Sequence, residues 1–223
     1  MTETRSAREL FQAAYENRYT WEPNFPGYTA TVEFKHGDVV LTGTVAVKAN
    51  LSAEVMGIDD EEARKAILGQ LNEVAIHRVR RTFEATHGKN TFSYGETDAT
   101  GAVEILMGGK SEGDRYKLRN NEVCHVHRHI HGIVVTIDTF SSHDTGAGYL
   151  SHRYDSVYTD PQTGEAKGGK VVFEDNYQKV GDYQILSQRI IQAEENGQPT
   201  TTEFNFTNIA LLPDRVEAVA ATV

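Results

Sequence analysis

The sequence has one cysteine, Cys124, so no disulfide can close within the chain, and a reducing compartment is the expectation. No apolar run approaches the roughly 18 residues a membrane-crossing helix needs. The opening "MTETRSAREL" also lacks the apolar h-region of a secretory signal. These absences point to a cytoplasmic chain, or to the mature part of an organellar one. Basic residues are in deficit: 22 Lys and Arg stand against 32 Asp and Glu, a formal net charge of −10. Phosphate backbones are held by concentrated cationic side chains, so nucleic acid is not an expected partner. The densest basic run, "HRVRR" (77–81), follows "DDEEARK" and reads as a salt-bridged helix face. Neither a GxSxG turn nor a phosphate loop occurs. "MGGKSEGD" (107–114) shares only its glycines and lysine with such a loop and reads as a hairpin turn.

What is present suffices for a core: 39% of the 223 residues are hydrophobic, and no linker or low-complexity tract divides them. The reading is a single domain over 1–213 with a tail, 214–223. A helix begins at "SARE", where Ser6 can cap the backbone and Glu9 can reach back, with Leu10, Phe11, Ala14 and Tyr15 as its apolar stripe. Pro23, Pro26 and Gly27 end it. Period two follows: Tyr28, Ala30, Val32 and Phe34 alternate with polar residues, Gly37 and Asp38 turn, and Val39, Leu41, Val45 and Val47 return. "GIDDEEARKAILGQLNEVAIHRVRRTFEATHG" predicts one long helix, capped by Asp59 with Glu62 behind it and stopped at Gly88. Ile67, Leu71, Val74, Ala75, Val79 and Phe83 mark its buried side, with His77 near that face. Everything after Asn90 reads as strands and turns, an antiparallel meander. Two helices must then cover one large apolar sheet face, so the expected fold is α+β: a large curved antiparallel sheet, a half-barrel, covered by an N-terminal helix and one long helix, with room for a cavity.

The chemistry-bearing stretch is "NNEVCHVHRHIHGIVV" (120–135). On a strand, alternate residues share a face about 6.5–7 Å apart, so His125, His127, His129 and His131 form one stripe while Cys124, Val126, Arg128 and Ile130 form the other. An adjacent His-x-His pair can close on one zinc, iron or copper ion at about 2.0–2.1 Å. Four in a row span about 20 Å and cannot share one ion. Further ligands would come from His143 with Asp144 in "SSHDTG" and from His152 in "YLSHRYD", giving His127, His129, His143 and His152 as a metal set. Otherwise the stripe is the polar face of a two-faced strand, or lines an organic-ligand cavity with Tyr154. Ser142, His143 and Asp144 are the residue types of a triad, but neighbours in sequence cannot point at one another as a triad requires. Tyr149, Tyr154, Tyr158, Tyr177 and Tyr183 give the C-terminal sheet amphipathic bodies suited to a cavity wall or an ordinary sheet surface.

The closing stretch "VGDYQILSQRIIQAEENGQPTTTEFNFTNIAL", together with the element order, resembles the lipoprotein-carrier fold, a curved half-barrel lidded by helices that receives acyl chains. Over nearly the whole chain, "SARELFQAAYENRYTW", "HGKNTFSYGETD", "RNNEVCHVHRHIHG", "TFSSHDTGAGYLSHRYDSVY" and "GQPTTTEF" are similar to a domain-of-unknown-function family of cyanobacteria and plastid-bearing organisms. That resemblance implies a photosynthetic host, with a plastid stroma location in eukaryotic relatives. The leading expectation is a soluble carrier-like protein with an apolar cavity for a lipid, pigment or isoprenoid, edged by His125, His127, His129, His131 and Tyr154. A metal-dependent enzyme and an assembly factor for photosynthetic complexes, docking a protein partner, stay open. No residue pattern names a catalytic set, a cofactor or an oligomeric state.

Overall fold

The computed structural model describes residues 5–195 and 197–213. The proposed tail, 214–223, lies outside them. Helix α1 (Ala7–Glu16) begins as its cap predicts: Ser6 Oγ accepts from Glu9 N, and the Glu9 carboxylate accepts from Ser6 N at 2.7 Å. Ala7, Phe11, Ala14 and Tyr15 are its buried stripe. The next helix starts one residue later than its acid run predicts. Asp60, not Asp59, caps α2 (Glu61–Arg78), accepting from Ala63 N at 2.8 Å.

The single long helix is in fact two. Val79 leaves helical geometry with ψ 123°, and Trp21 N donates to Arg78 O at 2.8 Å, so the chain there pairs as a short bridge. Thr82 then caps a second, five-residue helix, α3 (Phe83–His87), which ends at Gly88 as predicted. A backbone bridge to Trp21, distant in sequence, coincides with the break where periodicity alone would carry the helix on.

Among the described residues, twelve strands form one open, curved antiparallel sheet, a half-barrel. In chain order they are β1 (Gly27–His36), β2 (Val39–Lys48), β3 (Ala53–Met56), β4 (Asn90–Thr97), β5 (Val103–Gly109), β6 (Arg115–Arg119), β7 (Glu122–Ile130), β8 (Ile133–Asp144), β9 (Tyr149–Thr159), β10 (Val171–Val180), β11 (Tyr183–Glu195) and β12 (Gln198–Leu211). The spatial order is β3-β2-β1-β12-β11-β10-β9-β8-β7-β6-β5-β4. The meander is as read, with one addition: the N-terminal hairpin docks on the last strand, Tyr28 opposite Leu211.

The helices seal the inner face in two places. Under α2, Ile67, Leu71 and Val74 meet Tyr28, Val32, Val45, Phe204 and Phe206 in the larger core, so the space expected to hold a pocket is filled with side chains. Under α1 and α3, Phe11, Tyr15 and Phe83 meet Ile105, Met107, Tyr116 and Leu118 in a second core. Each large apolar chain buried this way contributes about 1.5–3 kcal/mol. Among the described residues no helix is long and apolar enough to cross a membrane.

Candidate functional site

Register settles where the histidine stripe points. Val126 pairs with Ile137 and packs against the α1 core, so its neighbours His125 and His127, and His129 beyond, lie on the opposite, outer face. Each finds a neighbour there. His125 Nδ1–H donates to Asp138 Oδ1 at 2.7 Å, His127 Nδ1 meets Thr136 Oγ1 at 3.0 Å, and His129 Nδ1–H donates to Asp114 Oδ1 at 3.1 Å. His131 does not join the stripe. β7 ends at Ile130, and His131 with Gly132 forms the hairpin turn, both at positive φ. Burial, then Arg115 and His129, hold the His127 pKa below its ordinary value. Arg128 points opposite the histidines, as predicted, with Nε 3.6 Å from Asp114.

His143 and His152 lie on the inner side, at a place where the sheet parts. β9 and β10 pair only from Val171–Ser156 to Glu174–Arg153. Beyond that, the start of β9 bonds to the connector after α1 instead: Tyr149 N donates to Asn17 O at 2.9 Å and Tyr19 N to Tyr149 O at 3.0 Å. Gly148 permits this approach, since a Cβ there would lie 2.6 Å from Asn17 O and its φ is +127°. The freed Asp175 carbonyl accepts from His152 Nδ1–H at 2.8 Å. The His143 ring stands 4.4 Å from the His152 ring, and its Nε2 is buried without a hydrogen-bond partner among the described residues. A cavity of about 190 Å³ opens in this gap, lined by His143, Asp144, Thr145, Leu150, Asn176, Tyr177 and Gln184.

Next to the gap lies a polar network of which the sequence reading named Tyr154 and Tyr177 but missed the charged centre, Arg189 and Asp175. Arg189, 2% exposed, donates Nε–H to Asp175 Oδ1 at 2.7 Å and a second N–H to Asp175 Oδ2 at 2.6 Å. Its remaining donors reach Tyr154 Oη at 2.9 Å and, on α2, Gln70 at 2.7 Å and Glu73 at 2.5 Å. Tyr154 donates to Asp175 Oδ2 at 3.2 Å, Tyr177 donates to Ser151 O at 3.1 Å with Asp175 Oδ2 3.4 Å away, and Arg78 donates to Tyr177 Oη at 3.2 Å. Burial pushes both phenols well above their ordinary pKa. Burial alone would lower the Arg189 pKa, but the Asp175 carboxylate outweighs it and the guanidinium stays charged. An isolated arginine inside "ILSQRII" was the one sequence signal for this network.

The structure therefore divides the candidate metal set, with His127 and His129 on one face and His143 and His152 on the other. Among the described residues no group of three His, Cys, Asp or Glu side chains is placed to hold a metal ion. Tyr154 faces inward, away from the stripe, and stacks on Phe173 at 4.8 Å and 6°.

Comparisons with known proteins give the following. None of the curated proteins matches the chain. Among solved structures, a LolA superfamily protein from Nitrosomonas europaea is 9% identical, with a TM-score of 0.39, over 96% of this chain and 97% of that one. An outer membrane lipoprotein-sorting protein domain from Vibrio parahaemolyticus is 10% identical, with a TM-score of 0.34, over 95% and 94%. The MucA/MucB complex from Pseudomonas aeruginosa contains a chain 9% identical, with a TM-score of 0.25, over 93% and 99%. A family model matches residues 2–212, and the chain belongs to that family, described as protein of unknown function (DUF3386).

Proposed function

We propose that the protein is a carrier-like binding protein for an amphiphile of the lipid, pigment or isoprenoid class, held on the inner face between the two helix-sealed cores. One observation carries this reading. Val135, Ile137 and Phe173 lie on the inner side of β8 and β10 and belong to neither core. Ile137 and Phe173 stay half-buried, with Tyr154 and Ile191 beside them. A concave apolar floor between two sealed flanks suits a flexible chain or a flat ring, which gains about 25 cal/mol for each Å² of apolar surface it removes from water. Ser156 Oγ, buried opposite Ile137 without a hydrogen-bond partner among the described residues, offers this floor a polar point for a hydroxyl or carbonyl.

Native mass spectrometry of the protein from its own cells, followed by titration with the fluorescent fatty acid cis-parinaric acid, tests the reading. A bound organic mass or saturable probe binding is expected, weakened about tenfold or more by Ile137→Asn or Phe173→Asn and unchanged by His127→Ala. Protein that carries no organic species and binds no probe would sink the proposal.

A further inference from the structure

We infer that His143 and His152 form a two-imidazole site for a late first-row transition-metal ion, in the gap between β9 and β10 and separate from the apolar floor. Three observations converge on it. First, the His152 tautomer is fixed: a backbone carbonyl can only accept, so Nδ1 carries the proton that meets Asp175 O at 2.8 Å. Its Nε2 is left with a lone pair, and a ring N–H held on a carbonyl is how metal-ligating histidines are oriented. Second, His143 Nε2 is buried without a hydrogen-bond partner among the described residues, an unsatisfied state that a bound ion would relieve. Third, the two ring centroids are 4.4 Å apart. Two nitrogens bound at about 2.0–2.1 Å to one ion lie roughly 3 to 4 Å from each other, so rings at this separation can close on it with small side-chain adjustments.

The surroundings fit a cation. Among the described residues no Lys or Arg lines the cavity, and Asp144 is one of its lining residues. Two imidazoles do not complete a divalent shell. The cavity of about 190 Å³ has room for waters to supply the remaining donors. Nitrogen and oxygen donors without a thiolate favour Cu²⁺ most and Zn²⁺ next among the common ions. The outer His127–His129 pair is the rival. Its rings are 5.8 Å apart, and the Arg115 cation sits opposite His127 on the next strand.

The test uses the whole chain without an affinity tag, loaded with CuCl₂ and separately with ZnCl₂ in competition with a chromophoric chelator. One tightly held equivalent of Cu²⁺ is expected, with two-nitrogen splitting in its EPR spectrum. His143→Ala and His152→Ala should each weaken it about tenfold or more, and His127→Ala or His129→Ala should leave it unchanged. Failure to bind, loss of binding on changing His127 or His129, or full affinity in the folded His143→Ala/His152→Ala double variant would each overturn the inference. Should those variants not fold, imidazole NMR of the unaltered protein decides: paramagnetic broadening centred on His143 and His152 supports the site, and broadening centred on His127 and His129 refutes it.

Discussion

On the outer face, His125, His127 and His129 each rest a ring nitrogen on a residue of a neighbouring strand or turn, whereas on the inner face His143 keeps a buried nitrogen without a partner. The same contrast holds for ion pairs. Lys117 and Asp98 meet at 3.0 Å with a third of each side chain exposed, while Arg189 and Asp175 meet with 3% and 2% exposed. Histidines close in sequence are not thereby convergent in space. The stripe that stands out when the chain is read spreads its rings along one strand, each satisfied locally. The residues that share an interior come from α2 and from strands that are distant in sequence.

The contrast is sharpest at Arg189. Arg189→Met leaves the Asp175 carboxylate buried without its cation, and breaking such a pair costs about 3–5 kcal/mol. A urea-unfolding loss below about 1 kcal/mol would mean that the two faces do not differ energetically.

Acid should separate the faces next. His87 is 5% exposed within the second core, where Asn90 Nδ2 lies 3.2 Å from its Nδ1. Burial, then the charges of Arg128 and Arg18, push its pKa down to about 4. Below pH about 6.5 the unfolded chain takes up a proton that the folded chain refuses until about pH 4. Stability present at neutral pH is therefore lost as pH falls through that window, up to roughly 3 kcal/mol. Urea midpoints at pH 7, 5 and 4 should show the fall, and His87→Phe should flatten it. An unchanged pH profile in that variant would assign the fall to other groups.

The smallest effect belongs to the outer face. His127→Ala removes one half-buried contact with Thr136 and should cost about 0.5–1.5 kcal/mol in the same assay. A cost matching that of Arg189→Met would erase the distinction.

Much of the fold is legible in the sequence because it is set by local rules. The Ser6–Glu9 box, the alternation from Tyr28 to Phe34, the turn at Gly37 and the opposite facing of Arg128 and the histidines all depend on residues within a few positions of one another. Val79 breaks the pattern because its partner, Trp21, is far away in the chain, and periodicity carries no information about that bridge. His131 leaves the stripe because Gly132 draws it into a turn. The candidate sites were less legible. His143, His152 and Tyr154 can be named from sequence, but nothing in it pairs the two rings or opens the sheet between them.

Two-faced strands, the Ser6–Glu9 start of the first helix and the shared face of His125, His127 and His129 follow from the sequence alone, since side-chain alternation and capping are properties of neighbouring residues. Tertiary structure decided which face that was. It docked β1 on β12, filled the space beneath α2, parted β9 from β10 and brought Arg189 to Glu73 across 116 residues. Those outcomes depend on packing between distant segments, where burial and charge pairing are set by the whole chain at once.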